Sequence, residues 1–156
     1  MAMATVKLIG DRLHAINQLL TVSGYTVHSR RYYPTEITTN IMPLLVPTWG
    51  RQSISVPDAG GGQFQGGRLW EIELYAGQWM MGYPSESAQK AAEAIVDLLV
   101  ALYAERPRLE IDHAPLDGVS LVEMQEDSGL VSDLTGAFAV VRLPLLIHGS
   151  YSFGYA

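Results

Sequence analysis

The sequence predicts an α+β fold: a mostly antiparallel four-stranded sheet, two main helices packed on one face, and a long glycine-rich hairpin loop. Three observations predict it. Residues 88–103, AQKAAEAIVDLLVALY, carry apolar side chains around much of a helical circumference. Strand-like stretches flank that helix in two pairs. A chain of 156 residues fits one core, so residues 1–156 read as a single domain.

The elements follow in order. Val6, Ile9, Leu13, Ile16 and Leu20 recur at steps of three and four, which puts them on one stripe of a helix over about residues 4–21. Gly24 is placed to stop that helix. Residues 25–28 and 31–33 have strand-like composition, and Pro34 interrupts them. Residues 42–47 form a short apolar run between prolines. Pro43 and Pro47 suit an edge or bulged strand, which residues 52–56 continue by alternation.

Residues 58–67 are glycine-rich and read as a flexible loop, about residues 57–68. In residues 69–75, Trp70, Ile72 and Leu74 share a core-facing side; Leu69, Glu71, Glu73 and Tyr75 share the other. The two strands and the loop make a long antiparallel hairpin, with Glu71 and Glu73 expected to be exposed.

Pro84-Ser85-Glu86-Ser87 starts the second helix. Ser85 or Ser87 caps it, and Glu86 suits the positive end of its dipole. Its stripe is Ala88, Ala91, Ile95, Leu98 and Leu102, widened by Ala92, Val96 and Leu99. Such breadth requires cover from the chain's own sheet or from a neighbouring subunit. Pro107 ends the helix near Arg106, whose charge complements the negative helix end. Residues 119–124 and 137–148 are the last two strands, the second being the longest candidate. Pro144 marks that strand as bent or at an edge.

Composition excludes several functions. Cysteine is absent, which rules out disulfides and thiolate metal sites. Net charge is −6, and the close basic pairs Arg30–Arg31 and Arg106/Arg108 are too small a patch to hold nucleic acid. Lys90, Glu93 and Asp97 interrupt the longest apolar region, which argues against a membrane span. Residues 1–20 lack the basic leader, apolar core and cleavage site of a signal peptide. Charged residues are only 17% of the chain, which fits either a compact apolar domain or a surface covered by a partner.

No motif declares chemistry, and no cofactor, metal or catalytic residue is assigned. His14, His28, His113 and His148 show no metal-ligand spacing. His14 borders the first helical stripe. Asp112-His113 could form an acid/base couple but reads better as a polar loop. The glycine loop lacks the lysine and hydroxyl of a phosphate-binding loop and opens no helix. Serine occurs in no GxSxG context. Tyr151, Phe153 and Tyr155 alternate with small residues and read better as a packed terminal tail (residues 149–156) than as a base-stacking platform.

The layout resembles the tail terminator (tail completion) proteins of long-tailed bacteriophages. The likeness rests on the opening helix 6–20, the proline-bounded strand 42–47 and the strand 69–75. It rests also on AAEAIVDLLVALYAERPRLE, on PLDGVSLVEM and on the closing strand AFAVVRLPLLI. The resemblance implies a virion protein of the tail or neck, assembled in the host cytoplasm, with no enzymatic activity and no membrane. It implies a homo-oligomeric ring, usually of six subunits, that caps the head-proximal end of the tail tube, stops its growth and offers a surface to the head. Its partners would be itself, the tail tube protein and head–tail connector proteins. DNA would pass through the lumen without specific binding. Candidate interface residues are Trp49, Arg51, Phe64, Trp79, Tyr83, Arg106, Arg108, Tyr151 and Phe153. Residues 60–67 would order against the tube, with Phe64 as an apolar anchor. A head–tail connector is the alternative ring. A small-ligand enzyme using Asp112, His113 or Glu71 is the alternative of another class.

Overall fold

The computed structural model describes residues 4–49 and 63–152, with residues 63–65 and 151–152 as backbone only. The chain is α+β. Its elements in order are α1 (Val6–Asn17), β1 (His28–Ser29), a 3₁₀ turn (Thr39–Ile41), β2 (Leu44–Trp49), β3 (Gln63–Met80) and β4 (Tyr83–Pro84). Then come α2 (Glu86–Ala104), β5 (Val119–Met124), β6 (Val131–Ser132) and β7 (Phe138–Ser152).

One seven-stranded sheet carries the fold, in the order β1-β2-β3-β7-β5, with β4 beside β3 and β6 beside β7. The expected four strands are therefore too few. β2, β3, β7 and β5 do pair antiparallel, but β1 joins β2 in parallel, so the sheet is mixed. β1, β4 and β6 have two residues each, too short for periodicity to reveal.

Both helices pack against one side of the sheet. Ile9, Leu13 and Ile16 of α1 and Ala88, Ile95 and Leu99 of α2 share a core with Trp70, Ile72, Leu74, Val141, Leu143 and Leu145. The opposite side carries a smaller cluster of Leu44, Val46, Tyr75 and Val140, against which Ile37, Ile41 and Met42 pack. This is the period of two at work: alternate β3 residues serve different cores.

α1 ends at Asn17, earlier than residue 21, and Gly24 sits in a tight turn bridged from Val22 to Tyr25. Ser85 caps α2, accepting from the Ala88 amide at 3.2 Å, with Glu86 in the first turn. Leu98 of the expected stripe is exposed beside Asp97, because the sheet covers a narrower arc of α2 than the apolar pattern spans. Tyr103 closes the helix layer: its buried hydroxyl donates to Asn17 Oδ1 at 2.6 Å.

The glycine-rich stretch departs from expectation. Residues 63–68 are the start of β3, paired with residues 147–152 of β7, so the loop assigned to residues 57–68 is strand at its C-terminal end. The terminal tail assigned to residues 149–156 likewise begins as strand. Gly67 is buried because Leu146 and His148 lie where a side chain would project. Residues 50–62, which include Arg51 and the alternation at 52–56, and residue Phe153 fall outside the described residues. β3, at 18 residues, is longer than β7, at 15.

Two prolines find places where no ladder bond is lost. Leu45 O accepts from Arg30, so the odd-numbered groups of β2 point away from β3, and Pro47 lacks its N–H on that outer side. Pro144 lies in a central strand, not at an edge. Its oxygen accepts from Gln125, just past the end of β5, so its ring faces the gap between β5 and β6.

Candidate functional site

Two exposed apolar surfaces stand out, one at a tip and one along an edge. The tip is the β3–β4 turn. Met80 pairs with Tyr83, which leaves Met81 and Gly82 as a two-residue loop with φ of 49° and 95°. Both values lie in the left-handed region, as a hairpin turn matching strand twist requires; Gly82 adopts it freely. The turn thrusts Met81 out at 92% exposure, with Met80 and Tyr83 exposed beside it.

The β6–β7 turn lies next to it. There Asp133 Oδ1 accepts from Thr135 Oγ1 at 2.8 Å and from the amides of Ala137 and Phe138. That buried carboxylate fixes the turn and leaves Leu134 entirely in solvent, at 103%. The Trp79 amide donates to Ala137 O at 2.9 Å and ties the two turns together. Trp79 itself packs against the core, so it supports the tip and is not its contact surface. Large apolar groups held in water on rigid turns are a recurrent mark of a contact surface.

The second surface runs along the outer side of β1 and β2. Tyr32, Tyr33 and Trp49 are exposed there, and with Arg31, Val46, Pro47 and Thr48 they line a hollow of about 240 Å³. Arg31 organises it. Its guanidinium lies 4.4 Å from the Tyr32 ring centre, and its Nε donates to Asp11 Oδ1 at 2.9 Å. Lys7 Nζ reaches the other oxygen of Asp11 at 2.8 Å. Lys7 and Arg31 hold the Asp11 carboxyl below its ordinary range. Gly10 makes room: a Cβ there would overlap the Arg31 guanidinium. Arg68 lies 5.9 Å from the Trp49 ring centre.

The remaining sequence-predicted residues are scattered. Phe64 and Tyr151 are register partners at the far end of the β3–β7 ribbon. Arg106 donates to Leu102 O at 2.7 Å and completes the end of α2. Arg108 Nε donates to Val119 O at 3.2 Å and anchors the chain beside β5. Both arginines thus have structural work. Trp49 belongs to the edge and Tyr83 to the tip. Met80, Met81, Leu134, Tyr32 and Tyr33 were missed. The pairing of Met81 with Gly82 just before Tyr83 was the available signal for an apolar turn.

Polar groups with chemical potential are also dispersed. His14 Nδ1 lies 3.1 Å from Ser29 Oγ, and burial lowers its pKa. The nearby Asp11 is engaged by Lys7 and Arg31, so it does not orient that imidazole. Asp112 and His113 are the exposed centre of a turn closed by Ile111 and Ala114; Glu105, Arg106 and Glu110 complete an open polar hollow. Glu73 is buried, contrary to expectation, because Arg142 Nε donates to its Oε2 at 3.1 Å across the ladder. Burial raises its pKa against the pull of Arg142, and it carries the neighbouring Tyr75 phenol up to about 12, chiefly by burial. Among the described residues no group of three ligating side chains could hold a metal, and no helix is long and apolar enough to cross a membrane.

No protein-family model and no curated protein matches the sequence.

Proposed function

We propose that this chain is a virion assembly protein of the tail-terminator kind. It caps a phage tail tube as a homo-oligomeric ring and offers its other face to the head. The supporting observation is the rigid apolar tip formed by Met80, Met81, Tyr83 and Leu134. Covering such side chains releases about 25 cal/mol per Å² of apolar area, which favours docking on another protein. A sheet braced by two helices holds that tip and the aromatic edge apart, as a subunit with two different contacts requires.

The test is co-sedimentation with cognate tail tubes. Met81→Asp/Leu134→Asp changes two side chains already in water, so the fold persists. The variant is expected to lose tube binding and tube-length control. Binding to filled heads with none to tubes would assign the chain to a connector instead. Wild-type capping by the variant would remove the tip from the contact. A deletion of residues 60–67 is a poor test, because it cuts into β3.

A further inference from the structure

The charges of this chain are divided across its sheet. Residues 109–141 hold seven Asp or Glu and not one Lys or Arg. Residues 117–133 of this run build β5, β6 and the adjoining turns at the edge beyond β7, where Arg108 is the neighbouring cation; residues 109–114 lie against Arg12 of α1. The opposite edge is β1 and β2 with α1 over them. It carries Lys7, Arg30 and Arg31 against Asp11 and Glu36, while Arg12 of α1 turns away from it to Leu109 O and Ala114 O. So one margin is strongly acidic, and the other carries a small positive excess with Arg30 outside any ion pair among the described residues.

Each margin also has apolar groups in water. The basic one has the hollow between Tyr32, Tyr33 and Trp49; the acidic one has exposed Leu121. Arg30 and Glu126 are exposed, and neither forms an ion pair among the described residues. Both margins resist extension of the sheet. Pro47 offers no N–H, and the Val122 amide already donates to Pro107 O at 2.7 Å. Side chains therefore offer the contact there.

We infer that a second copy of this chain docks its acidic β5 margin on the basic, aromatic β1–β2 margin, so that copies join head to tail. The occupant is chosen by charge. A polyanion would also suit Arg30 and Arg31, but the net charge of −6 repels it over the rest of the surface. A contact between two different patches leaves a free patch at each end, and it closes into a ring or continues as a filament. The inference deepens the assembly reading above and rests on it for the meaning of the contact.

Charge reversal on the full chain tests it by sedimentation. Arg30→Glu makes both margins acidic, and Glu126→Lys gives the acidic margin a positive charge beside the basic one. Each variant alone is expected to associate at least tenfold more weakly than wild type. Mixed, they regain association, because each supplies the margin the other has inverted. Raising salt from about 0.05 M to about 0.5 M weakens the wild type in the same way, since screening shortens to a few ångströms. Unchanged association of both variants, no recovery on mixing, or binding of a DNA oligonucleotide in place of self-association would overturn the pairing. Tube capping scored on the same samples separates the two readings. Capping with unchanged association defeats only the pairing; charge-dependent association without capping defeats only the tail role.

Discussion

Replacing Tyr103 by Phe deletes one oxygen at the junction of the two helices. The phenol is fully buried, and burial pushes its pKa well above 10.0, so it remains a donor throughout the working pH range. Its proton goes to Asn17 Oδ1 at 2.6 Å; Leu13 O, at 3.2 Å, is the weaker acceptor. Asn17 is itself buried, and its Nδ2 has no partner among the described residues. Without the hydroxyl, Oδ1 is stranded too. A lost hydrogen bond together with a stranded acceptor costs about 2 kcal/mol. With a urea slope of about 2 kcal/mol/M, the midpoint falls by about 1 M. Asn17→Leu removes the other half of the pair, so the double variant is expected to recover more than half of that loss. Urea unfolding followed by circular dichroism measures all three. A Tyr103→Phe loss under about 0.5 kcal/mol, or losses that simply add, would refute the account of this junction.

Three further outcomes are expected. Gly10→Ala swings the flexible end of Arg31 off α1 and away from Asp11, which changes the near-ultraviolet signal of Tyr32, while the helix-propensity gain of about 1 kcal/mol offsets the lost ion pair, so the thermal midpoint is expected to stay within a few degrees of wild type. His14 has a pKa below 6.5 in the fold, so its contribution is present above pH 6.5 and is lost as pH falls through the folded value; His14→Gln should flatten the stability profile in that window. Glu73 has a raised pKa, so its ionisation opposes folding as pH rises through the folded value. Glu73→Gln should reduce that decline with rising pH, provided the amide keeps its bond to Arg142, as a urea titration across pH 4–8 would show.

The elements whose signals are local were legible in the sequence. The stripe of α1, the Ser85 cap, the β2–β3 pairing and the core-facing Trp70, Ile72 and Leu74 all follow from periodicity and capping chemistry. What failed depends on distant partners. Two residues at His28–Ser29 become a strand only because Leu44 and Leu45 lie alongside. Gln63–Arg68 looked like a loop because glycine favours disorder, yet β7 supplies a ladder for it. Pro144 looked like an edge marker because a sequence does not show that β5 and β6 leave a gap. Glu73 looked exposed because Arg142 is 69 positions away.

The candidate surfaces were legible only in part. Trp49 and Tyr83 read as contact residues from their type. Met81 and Leu134 did not, since their exposure comes from the turn geometry around Gly82 and Asp133. The acidic run over residues 109–141 is plain in the sequence, but its meaning depends on knowing that residues 117–133 of it border one side of a sheet whose other border carries a small positive excess.

The measurement that bears most directly on the assembly role is tail-tube growth with and without this chain, followed by electron microscopy. The account predicts tubes that stop at a fixed length, with a ring of this protein at one end only. Tubes of unchanged length with no protein at either end would contradict it.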